Sequence, residues 1–185
     1  MDPVETLALA FDEAVAVLSK VTTDQWSLPS PCSQWDVRGV AQHMTQGALM
    51  VADCVAGKAF VPTQDDVVGA DPTAALRAAG DAALAAFRAD PSVLGKQVTL
   101  PFGVLPGAAV ASIFTNDEFA HAWDIAKATG QDTNLNPAMA EGCLAGARQF
   151  ITPDLREHGL FAAEVAAPST ANAADRLAAF MGRAV

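Results

Sequence analysis

The stretch "NDEFAHAWDIAKATG", residues 116–130, decides how the rest of the chain is read. It has the pattern of an amphipathic helix that stops at Gly130. That helix carries a carboxylate and an imidazole, Asp117 and His121, four positions apart. Residues at this spacing lie on one face, a turn above each other, and can share one metal ion. The pair alone is not specific, because carboxylate–x3–His recurs by chance on solvated helices.

Outward from this segment the pattern stays helical. Apolar residues at Leu7, Phe11, Ala14, Val15 and Leu18 predict a first helix from Pro3 to about Val21. After the two prolines of "SLPSPCSQ", Asp36 is a good N-cap for a second helix that runs to about Ala56 and stops at Gly57. A third covers about Thr73 to Arg88, and a fourth about Ala108 to Ala128. A fifth starts at Pro137 behind Asn136 and reaches Phe150. Between the third and fourth, "GKQVTLPFGVLPG" predicts extended chain or a loose hairpin. The tail from residue 160 predicts a short apolar extended piece and a closing helix near Ala173–Met181. The fold class is therefore all-α: a four-helix bundle with at least one crossover connection and accessory segments, one domain over 1–185.

Composition narrows the partners. The chain is 51% hydrophobic and 17% charged, the balance of a folded domain. Its net charge of −10 disfavours nucleic acid and an anionic membrane surface, and no apolar run approaches a membrane span. The acidic start "MDPVETLALA" lacks the basic region of a secretory signal. Cys32, Cys54 and Cys143 have no paired spacing, which suits a reducing cytoplasm. A small molecule is the expected partner, for a monomer or homodimer.

His43 is the other histidine inside a strong helix, at the edge of its apolar stripe, with Gly47 one turn on. The small residue leaves room for a ligand or a neighbouring helix; the alternative is a core histidine bonded to a carbonyl. Asp124 shares the face of Asp117 and His121, and either orients a ligand or pairs with Arg38 to lock two helices. Glu118, three before His121, is the alternative carboxylate ligand, but it points about 100° away from Asp117 and reads as a solvated surface carboxylate. Trp26, Trp35 and Trp123 are expected in the core or a pocket wall. Cys32 reads as a buried, inert thiol and His158 as exposed.

"LPSPCSQWDVRGVAQHM", "LPFGVLPG", "NDEFAHAWDIAKATGQD" and "ADRLAAFMGR" occur in this order along nearly the whole chain. Together they resemble an actinobacterial-type family of small metal-binding proteins. That family is related to the N-terminal domain of mycothiol-dependent maleylpyruvate isomerase and to the DinB-like bundles. The resemblance implies a DinB-like four-helix bundle and a divalent metal held by His43, Asp117 and His121. Two imidazoles and a carboxylate are what catalytic Zn²⁺ sites use when a fourth position stays open, and the same set suits Ni²⁺, Fe²⁺ or Mn²⁺. In thiol-transferring relatives a low-molecular-weight thiol such as mycothiol is the co-substrate, which implies a thiol transferase or isomerase. The alternative is a non-catalytic or regulatory bundle with a vestigial or purely structural triad; an open coordination site with a channel distinguishes the two.

Overall fold

In the computed structural model, which describes residues 2–159 and 161–185, seven α-helices and one two-stranded sheet lie among the described residues. The helices are α1 (Pro3–Leu18), α2 (Val37–Val55), α3 (Pro72–Ala89), α4 (Gly107–Ala128), α5 (Pro137–Phe150), α6 (Pro153–Glu157) and α7 (Ala173–Phe180). The strands β1 (Gln97–Leu100) and β2 (Gly103–Pro106) join α3 to α4. Both α1 and α2 pack against α3 and α4, so α1 faces α2, and α3 faces α4, across the bundle diagonals. The α1–α2 and α3–α4 connections thus both cross a diagonal, in keeping with the expectation of at least one crossover. Outside the square, α5 and α7 pack on each other and on α4.

Local chemistry sets the boundaries. Asp36 caps α2 by accepting from the Gly39 amide at 2.7 Å, while the amides of Val37 and Arg38 reach back to Leu28 and Trp26 carbonyls. The entry loop is thereby tied to the start of α2. At the end of α4, Gly130 takes φ +71°. That left-handed turn lets the Gln131 amide reach the Ala126 carbonyl at 2.8 Å and the Gly130 amide reach Lys127, closing the last turn. The first helix is shorter than its periodicity predicts. It ends at Leu18, where Lys20 and Val21 turn their amides onto the carbonyls of Val17 and Leu18.

The segment between α3 and α4 is a regular antiparallel hairpin, with Val98 opposite Leu105 and Leu100 opposite Gly103. Val98 and Leu100 are buried, and the turn carries Phe102 outward, 62% exposed. The hairpin also serves α4, whose first residue Gly107 donates its amide to the Lys96 carbonyl at 2.9 Å. The apolar extended piece predicted at the start of the tail begins at 160, outside the described residues; 161–167 form no strand.

Candidate metal centre

The bundle brings His43 of α2 against Asp117 and His121 of α4. His43 Nε2 lies 3.4 Å from one Asp117 oxygen, and His121 Nε2 lies 3.6 Å from the other. One donor atom from each residue falls within 4.8 Å of the others. Ligands at about 2.0–2.2 Å around a tetrahedral ion stand about 3.3 Å apart, so these spacings fit a shared cation with small side-chain adjustments. The donor set also has an orphan. Asp117 Oδ2 is buried and has no hydrogen-bond partner, the condition a cation would relieve.

Electrostatics agree. Burial pushes the Asp117 carboxyl up, but His121 and His43, with Arg183 behind them, outweigh it and hold the group below the ordinary 3.8. Burial pulls His43 down, yet the Asp117 carboxylate outweighs it and holds the imidazole above 6.5. Trp35, at the foot of α2, stacks on His43 with ring centroids 4.4 Å apart and planes 22° off parallel. It also meets the His121 ring of α4 edge-on, with centroids 5.8 Å apart, so one indole restrains both imidazoles. Gly47 clears the approach: a Cβ there would sit 3.2 Å from the Phe114 ring and 3.9 Å from Asp117 Oδ2. The small residue serves neighbouring helix and carboxylate alike.

His121 is oriented from behind. Its Nδ1 donates to Asp124 Oδ2 at 2.9 Å, which leaves Nε2 facing Asp117. Asp124 is fully buried and grips Arg183 through two bonds, Nε to Oδ1 at 3.0 Å and Nη2 to Oδ2 at 2.8 Å. The expected pairing of Asp124 with Arg38 is therefore corrected. Arg38 turns outward to Asp66 Oδ2 at 2.7 Å and the Gly69 carbonyl at 2.8 Å, holding the α2–α3 loop. Arg183 lies beyond α7, and its side chain returns across α4 to the buried carboxylate. Its place in "ADRLAAFMGR" was visible; its partner was not, since no local spacing links positions 59 apart.

Cys32, His121 and Asp124 also lie close together. Both Asp124 oxygens are already committed to Arg183 and His121, so this trio is a hydrogen-bonded support and not an open donor set. Cys32 is half-buried, and burial together with the Asp124 charge pushes its thiol up, as suits an unreactive cysteine. His158 is exposed, bonded to the Asp154 carbonyl at 2.8 Å. Trp123 is buried and donates its indole N–H to Asp175 at 2.8 Å.

Glu118 is the largest departure from the sequence reading. It is not solvated: its exposure is 0%, and neither carboxylate oxygen has a hydrogen-bond partner. Burial, with the Asp117 charge beside it, pushes its carboxyl well above the ordinary 4.5. The folded chain thus retains a proton that the unfolded chain releases, so stability falls as pH rises from about 4.5 toward the raised value. Glu118→Met is expected to stabilise the fold by about 1–3 kcal/mol above neutral pH, and by less near pH 5. Urea midpoints at the two pH values measure this. Metal affinity is expected to change less than about threefold, because Asp117 and not Glu118 faces the histidines.

Two clefts meet at Asp117. One, about 310 Å³, is walled by His43, Gln46, Gly47, Met50, Phe60, Phe102, Ile113 and Phe114. The other, about 130 Å³, lies between α4 and α5 and is lined by Asn116, Gly146, Phe150 and Phe161 among others. His43 and Asp117 keep 35% and 29% of their side-chain surface exposed, against 7% for His121, so the donors open toward the larger cleft.

A family model described as the mycothiol maleylpyruvate isomerase N-terminal domain matches residues 7–126, the span that holds His43, Asp117, His121 and Asp124. The chain belongs to that family. The mostly helical architecture is that of its DinB-like bundles. Over 186 aligned residues the chain is 37% identical to "Uncharacterized protein MT0763" and to "Uncharacterized protein Rv0738", from two strains of Mycobacterium tuberculosis. The alignment covers 100% of this chain and of both relatives. No solved structure matches the chain. None of the described helices is long and apolar enough to cross a membrane.

Proposed function

We propose that this protein is a divalent-metal-dependent enzyme, of thiol transferase or isomerase type, acting on a small molecule. One observation carries the reading: His43 and His121 direct Nε2 at opposite oxygens of Asp117, whose Oδ2 is buried without a partner beside an open cleft. His43, Asp117 and His121 would hold the ion, and Zn²⁺ or Ni²⁺ suits a set of two imidazoles and a carboxylate. A bound cation would supply acidification of a thiol such as mycothiol and fix its sulfur beside an electrophilic carbon. The chain's own groups do the rest. Asp124 keeps the His121 proton on Nδ1, Arg183 keeps Asp124 ionised, and Trp35 restrains His43. An open cleft favours this reading over a closed structural site. The family's printed name, which includes mycothiol, supports the choice of thiol.

Metal analysis of untagged protein is expected to find about one divalent ion per chain. Titrating mycothiol into Co²⁺-loaded protein is expected to produce a near-ultraviolet sulfur-to-cobalt absorption band. A metal-free protein that also fails to take up Zn²⁺, Ni²⁺ or Co²⁺ would remove the reading; a loaded protein silent toward thiols would remove its thiol half.

Affinity for the ion should also track the histidines. Each must be neutral to bind, so protons compete and affinity falls as pH drops. Asp117 holds His43 above the ordinary 6.5, so the fall is expected to begin above that value. Affinity that stays flat from about pH 8 to 5 would assign the ion to carboxylates alone.

A further inference from the structure

We infer that the 310 Å³ cleft beside His43 and Asp117 receives an uncharged, apolar part of the substrate, an aromatic or branched hydrocarbon group, and excludes an anionic one. The inference rests on the metal-dependent reading of the site, and it names the substrate class. Small-molecule sites start at about 300 Å³, so the cleft suits a compact group.

The walls decide the chemistry. Met50, Phe60, Phe102, Ile113 and Phe114 supply apolar surface from α2, the loop after it, the hairpin and α4. No lysine or arginine lines the cleft, and its charged members are the two proposed donors, His43 and Asp117. Gln46 is the remaining polar side chain, and its amide is already donated to the Thr63 carbonyl at 2.9 Å. A carboxylate lodged among the apolar walls, away from the two donors, would find no lysine or arginine to pair with, and it would enter against a net charge of −10. The hairpin turn meanwhile holds Phe102 62% exposed at the cleft. A large aromatic ring left in water beside other aromatic walls marks a surface that a ligand covers.

A matched pair of dyes tests this on the full chain, both metal-free and Zn²⁺-loaded. N-phenyl-1-naphthylamine is neutral; 8-anilinonaphthalene-1-sulfonate adds an anionic group to the same skeleton. The neutral dye is expected to bind saturably, at least about tenfold more tightly than the sulfonate in the metal-free protein. Phe102→Ala, in an exposed turn, is expected to weaken it about fivefold or more with metal content unchanged. Phe150→Ala, in the smaller cleft, is expected to change it less than about twofold. Equal binding of the two dyes, no saturable binding, or loss through Phe150 and not Phe102 would overturn the inference. Metal content is read separately, so a chain that binds the dye through Phe102 but takes up no metal would overturn the metal reading alone.

Discussion

His121→Ala is expected to lower divalent-metal affinity at least about tenfold, with His43→Ala close behind. The two variants remove different things. His121 is the buried donor, fixed through Nδ1 by Asp124, so its loss deletes an oriented ligand and leaves Asp124 with Arg183 alone. His43 is more exposed and is held by stacking on Trp35, so its loss deletes a donor while leaving α4 undisturbed. Asp117→Ala should weaken the ion too, since it removes the only carboxylate of the set. Isothermal titration with Zn²⁺ against a competing chelator measures all three. Wild-type affinity in both histidine variants would dismantle the site.

Arg183→Met is expected to destabilise the fold by about 3–5 kcal/mol, the usual consequence of stranding a buried charge. Asp124 has no exposure, and the guanidinium that grips it retains only 11%. Burial pushes the Asp124 carboxyl up, but His121 and Arg183 outweigh it and hold it below 3.8. The pair's contribution is therefore fully present above the ordinary 3.8 and is lost as pH falls through the lowered value. Urea unfolding near neutral pH should show the loss in full. Adding Asp124→Asn to Arg183→Met should restore part of it, since the stranded charge is then removed. Because Asp124 also fixes the His121 tautomer, metal affinity should fall about 10–100-fold in either single variant. Unchanged stability in Arg183→Met would mean that His121 and solvent suffice for the carboxylate.

The range over which each signal acts separates the features legible in the residues from those that were not. Capping and periodicity act within a few positions, so α2 behind Asp36 and α5 behind Asn136 and Pro137 could be drawn almost to their ends. The i,i+4 relation of Asp117 and His121 is equally local. The meeting of His43 with that pair is not local; it rested on a family resemblance, and the bundle supplies the geometry. Arg183 escaped because a cation's partner depends on tertiary return of the chain, which no local spacing between positions 59 apart reveals. Glu118 escaped for a related reason. An ionisable residue on a helix is ordinarily placed in water, and only the packed bundle shows that this one lies inside it. The hairpin was undervalued because prolines and glycines at short spacing weaken a strand pattern, while Val98 and Leu100 are anchored by the bundle itself.

The reach of Arg183 back to Asp124 has an evolutionary side. The span that matches the family ends at residue 126, so it contains the three donors and the Asp124 carboxylate but not the cation that restrains that carboxylate. Donor set and counter-charge thus lie in separate stretches of the chain. A lineage can keep the helices that grip an ion and, by altering only the C-terminal residues beyond them, change how basic His121 is and thus how readily the ion is exchanged. Variation in the tail would then adjust chemistry at the centre of the bundle while every ligand stayed the same.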